Sequence, residues 1–194
     1  MPTPSAVFIN KWGTEGPGDG QFTYPDGVAV APDGSVYVAD RGNDRIQKFT
    51  SDGVFVAKGG TEGGGDGQFY SPYGVAVALD GSVSVADTAN HRIQKFTSAG
   101  VFVSKWGTEG PGDGEFIYPD GVAVAPDGSV YVSDRDNHRV QKFTSTGVFV
   151  TKWGTEGTGD GEFDHPRGVA VAPDGSVYVT DLGNDRIQKF SVGP

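Results

Sequence analysis

The chain has 194 residues, among them 32 glycines and 12 prolines, with no cysteine and a formal net charge of −10. The lack of cysteine excludes disulfides, thiolate-bound zinc and thiol catalysis; the acidic balance disfavours phosphate-driven nucleic-acid binding and anionic membrane surfaces. No stretch approaches the roughly 18 apolar residues of a membrane span and the N-terminus has no signal-peptide pattern, so a soluble chain is expected, its compartment left open.

The first element in chain order is Val7 to Gly13, VFINKWG, which matches VFVAKGG at 54, VFVSKWG at 101 and VFVTKWG at 148. It reads as the outermost strand of a repeated unit. A Gly-rich connector follows, from Gly13 to Pro25, and Gly27 then opens the stretch GVAVAPDGSVYVADRGNDRIQKF. Close copies begin at Gly74, Gly121 and Gly168, a spacing of 47 residues. That period, in a chain of short apolar alternations and glycine turns, predicts an all-β propeller of four-stranded antiparallel blades. The whole of residues 1–194 reads as one array.

Within the first copy, Val28 to Ala31 is small and apolar, as an innermost strand near a crowded axis should be. Pro32, Asp33 and Gly34 make a hairpin turn into a second strand, Ser35 to Ala39. A more polar third strand runs from Arg45 to Phe49, and Val54 to Lys58 is the fourth. Apolar groups on both faces of the second strand call for a blade packed between two neighbours. The connectors are long enough to carry the chain back across the sheet, and Phe22, Phe69, Phe116 and Phe163 are expected to anchor them.

The phase of the repeat is shifted, since a fourth-type strand comes first and a third-type strand last. The N-terminal strand, 7–13, is therefore expected to complete the last blade, within the chain or between chains. The leading expectation is a head-to-tail dimer giving an eight-bladed ring. The alternative is a four-bladed monomer clasped by its own strand.

The strings GDGQF and YPDGVAVAPDGSVYVADRGNDRIQKF, with their three further copies, resemble NHL repeats over nearly the whole chain, from Val7 to Phe190. The resemblance implies a β-propeller and a rigid binding platform, with roles in related proteins that range from protein and RNA recognition to a metal-dependent lyase. The near-identity of the copies also fits recent repeat amplification or deliberate design.

Residues common to the copies are read as scaffold. Asp40 with Arg45, Asp87 with Arg92, Asp134 with Arg139 and Asp181 with Arg186 are expected to pair across the turn between strands two and three, an intervening Asn taking a left-handed conformation. The connector carboxylates Glu15, Asp19, Glu62, Asp66, Glu109, Asp113, Glu156 and Asp160 are read as solvated loop charge in preference to calcium ligands, so no cofactor is assigned.

Positions that differ between copies are the candidate binding residues. Asp26, Tyr73, Asp120 and Arg167, with His165 nearby, precede the inner strands at the channel mouth; Arg41, Arg135, His91 and His138 lie in the loops after strand two. His91 and His138 sit on different blades, too far apart to share a metal ion, and no nucleophile, phosphate-loop or zinc-protease motif occurs. The expected function is a non-catalytic scaffold or interaction module that self-associates, with a protein or peptide as a further ligand. An NHL-type lyase using the channel is the alternative. The second copy departs most from the others, through Gly59 in place of Trp, Ser84 in place of Tyr and Leu79 in place of Pro, and is expected to be the least stable.

Overall fold

The computed structural model describes residues 6–193; residues 1–5 and 194, counted in the array above, lie outside the described residues. The first blade comprises β1 (Pro25–Val30), β2 (Val36–Asp40), β3 (Arg45–Phe49) and β4 (Phe55–Gly59). The second comprises β5 (Pro72–Val77), β6 (Val83–Asp87), β7 (Arg92–Phe96) and β8 (Phe102–Trp106). The third comprises β9 (Pro119–Val124), β10 (Val130–Asp134), β11 (Arg139–Phe143) and β12 (Phe149–Trp153). The last has three strands, β13 (Pro166–Val171), β14 (Ser176–Asp181) and β15 (Arg186–Ser191). Each blade is an antiparallel meander in chain order, so the all-β propeller reading holds.

Inner strands begin earlier than their apolar core predicts. Pro25 pairs with Asp40 beyond a bulge that ends at Val28, so Pro25 and Asp26 belong to β1. The turn after β1 follows its residue types: the Ala31 N–H donates to Ser35 O at 2.8 Å, and Gly34 takes φ +84°. The left-handed residue of the next loop is not the Asn. It is the residue after it, Asp44, His91, His138 or Asp185, at φ between 50° and 53°.

Inner strands stack β1 on β5, β5 on β9 and β9 on β13. Gly27 permits this: a Cβ there would strike the carbonyl of Tyr73 on the next blade. The junctions are filled by the Val face of one blade against the Ala face of the one before, with Tyr37 and Tyr131 added at the first and third, as where Tyr37, Ala39 and Ala31 meet Val75, Val83 and Val85. The connector phenylalanines sit as anticipated, Phe69, Phe116 and Phe163 buried over Phe96, Phe143 and Phe190 at 5.5–5.7 Å.

Of the two closures expected for the N-terminal segment, the one within the chain is not formed: Val7 to Gly13 forms no strand, and β15 has no partner beyond it among the described residues. A strand needs a complementary edge, and the edge that matches this segment lies on the blade at the far end of the arc. The two outer faces are consequently open. Val28 and Val30 are each 65% exposed on the first blade, and Ile187 is 70% exposed on the last.

The departures of the second copy are also redistributed. Gly59 belongs to the outer strand of the first blade, whereas Ser84 and Leu79 lie in and before β6. The losses therefore fall on two successive junctions, one on each side of the second blade.

Candidate binding face at the channel mouth

The repeated polar residues hold the connectors. Arg45 Nε donates to Asp40 Oδ2 at 2.6 Å, and the other three pairs repeat this at 2.7–2.8 Å. The remaining guanidinium nitrogens donate to connector carbonyls, Arg45 to Pro17, Gly18 and Gln21. Asn43 donates to Gly16 O and to Asp40, while the Thr23 N–H donates to Asp40 Oδ1. Gln47, which the sequence reading does not single out, is fully buried and bonds Gln21 O, Asp40 and the Gly20 N–H. Its repetition as Gln94, Gln141 and Gln188 is the available signal. With the carboxylate and carbonyls occupied, this network holds the connectors in place.

The connector carboxylates divide by position. Asp19, Asp66 and Asp113 each accept from a lysine of the outer strand, Lys58, Lys105 and Lys152, at 2.6 Å. Asp160 has no such partner among the described residues, because the corresponding outer strand is missing from its blade.

On this fixed frame the variable residues converge. Asp26, Tyr73, Asp120 and Arg167 are the second residues of β1, β5, β9 and β13, one from each blade. Arg41 pairs with Asp26 and lies 5.3 Å over Tyr24. Arg135 approaches Asp120 at 3.3 Å, binds Asp136 at 2.7 Å and lies 5.0 Å over Tyr118. Arg167 stands 3.6 Å from Asp120 and 4.6 Å over the Tyr73 ring, linking the second, third and fourth blades.

Asp120 is fully buried, and its Oδ1 and Arg167 Nε lack hydrogen-bond partners among the described residues. Burial pushes the Asp120 carboxyl above its ordinary value, against the attraction of Arg135 and Arg167. Burial likewise raises the Tyr73 hydroxyl, with Asp26 adding to the effect. The mouth is thus an arc of paired charges, with Arg41, Arg135 and Arg167 each stacked over a tyrosine ring.

The histidines lie elsewhere, in the grooves between blades. His91 Nδ1 accepts from the Tyr118 N–H at 3.2 Å, the two rings 4.7 Å apart. His165, grouped above with the channel mouth, instead faces His138 at a ring distance of 4.7 Å. His165 Nδ1 is 2.6 Å from Asp164 Oδ1, and His138, Asp164 and His165 offer ligand atoms within 4.8 Å of one another. Two imidazoles and a carboxylate are a donor set that a borderline divalent cation accepts. Comparing His138 with His91 in the sequence misses this pairing, whose signal is the 27-residue step between the two variable loop positions on consecutive copies.

The chain shares single repeats with much larger proteins. Over 47 residues it is 47% identical to E3 ubiquitin-protein ligase TRIM32 of Homo sapiens, covering 24% of this chain and 7% of that protein. Over 45 residues it is 49% identical to Protein lin-41 of Caenorhabditis elegans, covering 23% and 4%. The matched stretches therefore span less than a tenth of these relatives. Among solved structures, a streptogramin B lyase superposes with TM-score 0.63 at 15% identity, over 87% of this chain and 54% of that one. A chain of a nidogen/laminin complex superposes with TM-score 0.64 at 19% identity, over 86% and 60%. At such identities the likeness is one of fold. The NHL repeat model matches residues 22–49, 69–96, 116–143 and 163–190, more than half of the sequence, and the chain belongs to the NHL repeat family.

Proposed function

We propose that this chain is a non-catalytic interaction scaffold that closes by head-to-tail pairing of two copies into an eight-bladed ring, presenting the channel-mouth residues to a protein or peptide ligand. The observation that carries the reading is the placement of Trp12. Its indole packs on Gly53 and lies 6.0 Å from Phe49, as Trp106 packs on Gly147 and lies 6.0 Å from Phe143. The N-terminal segment thus occupies the place of a fourth strand belonging to a blade ahead of the first, without the sheet that would complete it.

The last blade supplies the complementary edge. In the repeat register, where Lys48 pairs with Ala57 and Gln47 with Lys58, Lys189 would pair with Asn10 of a second copy and Gln188 with its Lys11. Lys11 would then reach Asp160, restoring the ion pair made in the other three connectors. The open Val28 and Val30 face would meet the open Tyr178 and Ile187 face, covering apolar surface that a single chain leaves in water.

Light scattering on the full chain tests this. Twice the chain mass of 20.3 kDa is expected, and a mass of 20.3 kDa at micromolar concentration would overturn the ring.

A further inference from the structure

Trp12, Trp106 and Trp153 hold equivalent places in the repeat, and Gly59 stands where the remaining one would be. Each of the first two covers a turn glycine of the following blade, Gly53 or Gly147, with its indole. At the junction of the first and second blades neither half of that contact exists. A Cβ on Gly59 would meet nothing within 4 Å, and the same is true of Gly100, the turn glycine that an indole would cover.

What remains is a cavity of about 520 Å³ between β4 and the second blade. Tyr37 and Ile46 line it from the first blade, and Val85, Phe96 and Phe102 from the second, with Phe69 from the connector. These walls are rigid, because Tyr37 donates to Ser98 O at 3.2 Å and Val85 and Phe69 are buried in the junction core. The volume lies within the range of small-molecule sites; Lys48, Lys58 and Asp66 also line it, and the apolar part of the wall takes up a flat, largely apolar ligand in place of the missing side chain.

We propose that this cavity is a binding site for a free, planar, bicyclic aromatic molecule of indole size. The occupant is argued from the repeat itself, since the same junction elsewhere is filled by an indole. Trp106 Nε1 and Trp153 Nε1 are buried without hydrogen-bond partners among the described residues, so ring shape sets selectivity more than a ring N–H does. Indole and naphthalene rings should therefore be accepted alike. The site lies within one chain and away from the two open faces, so it stands whether the chain is a monomer or a ring.

Indole titrated into the full chain, followed by calorimetry and thermal melting, tests the site. The wild type should bind one indole per chain and melt a few degrees higher in its presence. Gly59→Trp should abolish binding and raise the melting temperature without ligand. Trp106→Gly should open an equivalent cavity at the next junction and bring the stoichiometry to two; if that variant fails to fold, the Gly59→Trp comparison decides alone. Absence of heat and of any melting shift with the wild type up to millimolar indole would overturn the proposal, as would undiminished binding by Gly59→Trp.

Discussion

Tyr131 and Tyr178 hold the same position on neighbouring blades, yet Tyr131 is 4% exposed and Tyr178 is 37% exposed. The difference is the blade that covers one and not the other. If a second copy covers Tyr178, a charge placed there must be desolvated on association, which costs several kcal/mol unless it is paired. Tyr178→Asp should therefore reduce the scattering mass to that of one chain while leaving the circular dichroism of the blades unchanged. A variant that keeps the mass of the wild type would show that this face is not the contact.

The register of the proposed exchange is testable because the chain has no cysteine. With Asn10→Cys and Lys189→Cys introduced together, the two residues would lie opposite each other across copies, at a distance a disulfide spans. Oxidation should give a covalent dimer on a non-reducing gel, and Asn10→Cys combined with Gln188→Cys should give much less. A charge exchange offers a second reading: Lys11→Asp and Asp160→Lys should each weaken the dimer, and the double variant should recover part of the loss. Exposed pairs contribute about 0.2–1 kcal/mol, so the effect is to be read as a shift of the dimer dissociation constant of a few-fold.

Most of the blade is legible in the residues themselves. The Pro-Asp-Gly turns, the alternation of Val36, Tyr37 and Val38, and the Asp40 to Arg45 pair are local, so their chemistry decides their geometry without help from distant parts. What is not legible depends on which residues meet across a junction. The pairing of His138 with His165 follows from the step between blades rather than from either loop, and the segment around Trp12 departs from a strand because its edge partner is absent. Gln47 escapes notice for a related reason: its hydrogen bonds go to a connector 26 residues away.

The second departure of the repeat leaves a mark of its own. Ser84 stands where the other blades carry Tyr37, Tyr131 and Tyr178, and a cavity of about 270 Å³ opens beside it, bounded by Lys95, Val124 and Ser145. Restoring the ring by Ser84→Tyr should bury aromatic surface against Val124 and give its hydroxyl an acceptor at Ser145 O, as Tyr37 has at Ser98 O. A gain of about 1 kcal/mol in urea unfolding is expected. Hydrogen exchange in the second blade should slow in the same variant.

In a single chain the Asp–Arg networks should be unequal in weight. Arg139 is 6% exposed and Arg186 is 28% exposed at the side chain, so removing the carboxylate strands a buried cation in one case and a partly hydrated one in the other. In a chain kept monomeric by Tyr178→Asp, Asp134→Ala should cost about 3 kcal/mol and Asp181→Ala about 1 kcal/mol. In the closed ring, where the last blade is covered, the two costs should converge in denaturant titrations, and a persistent difference would show that blade still open.

Asp120 carries a pH signature of the opposite kind to an ordinary salt bridge. Its carboxyl is raised from the usual 3.8, chiefly by burial, so the folded state favours the protonated form. For an acid raised on folding, the stabilising contribution is present below the unfolded value and is lost as pH rises through the folded one. Asp120→Asn keeps the shape and stays neutral throughout. Relative to wild type it should therefore gain stability as pH rises from 3 toward 7, the difference being smallest in acid, while Arg135 keeps Asp136 as its partner at 2.7 Å. Urea unfolding at the two pH values measures this directly, and a variant that loses ground at pH 7 would place the balance with the attraction of Arg135 and Arg167 instead of with burial.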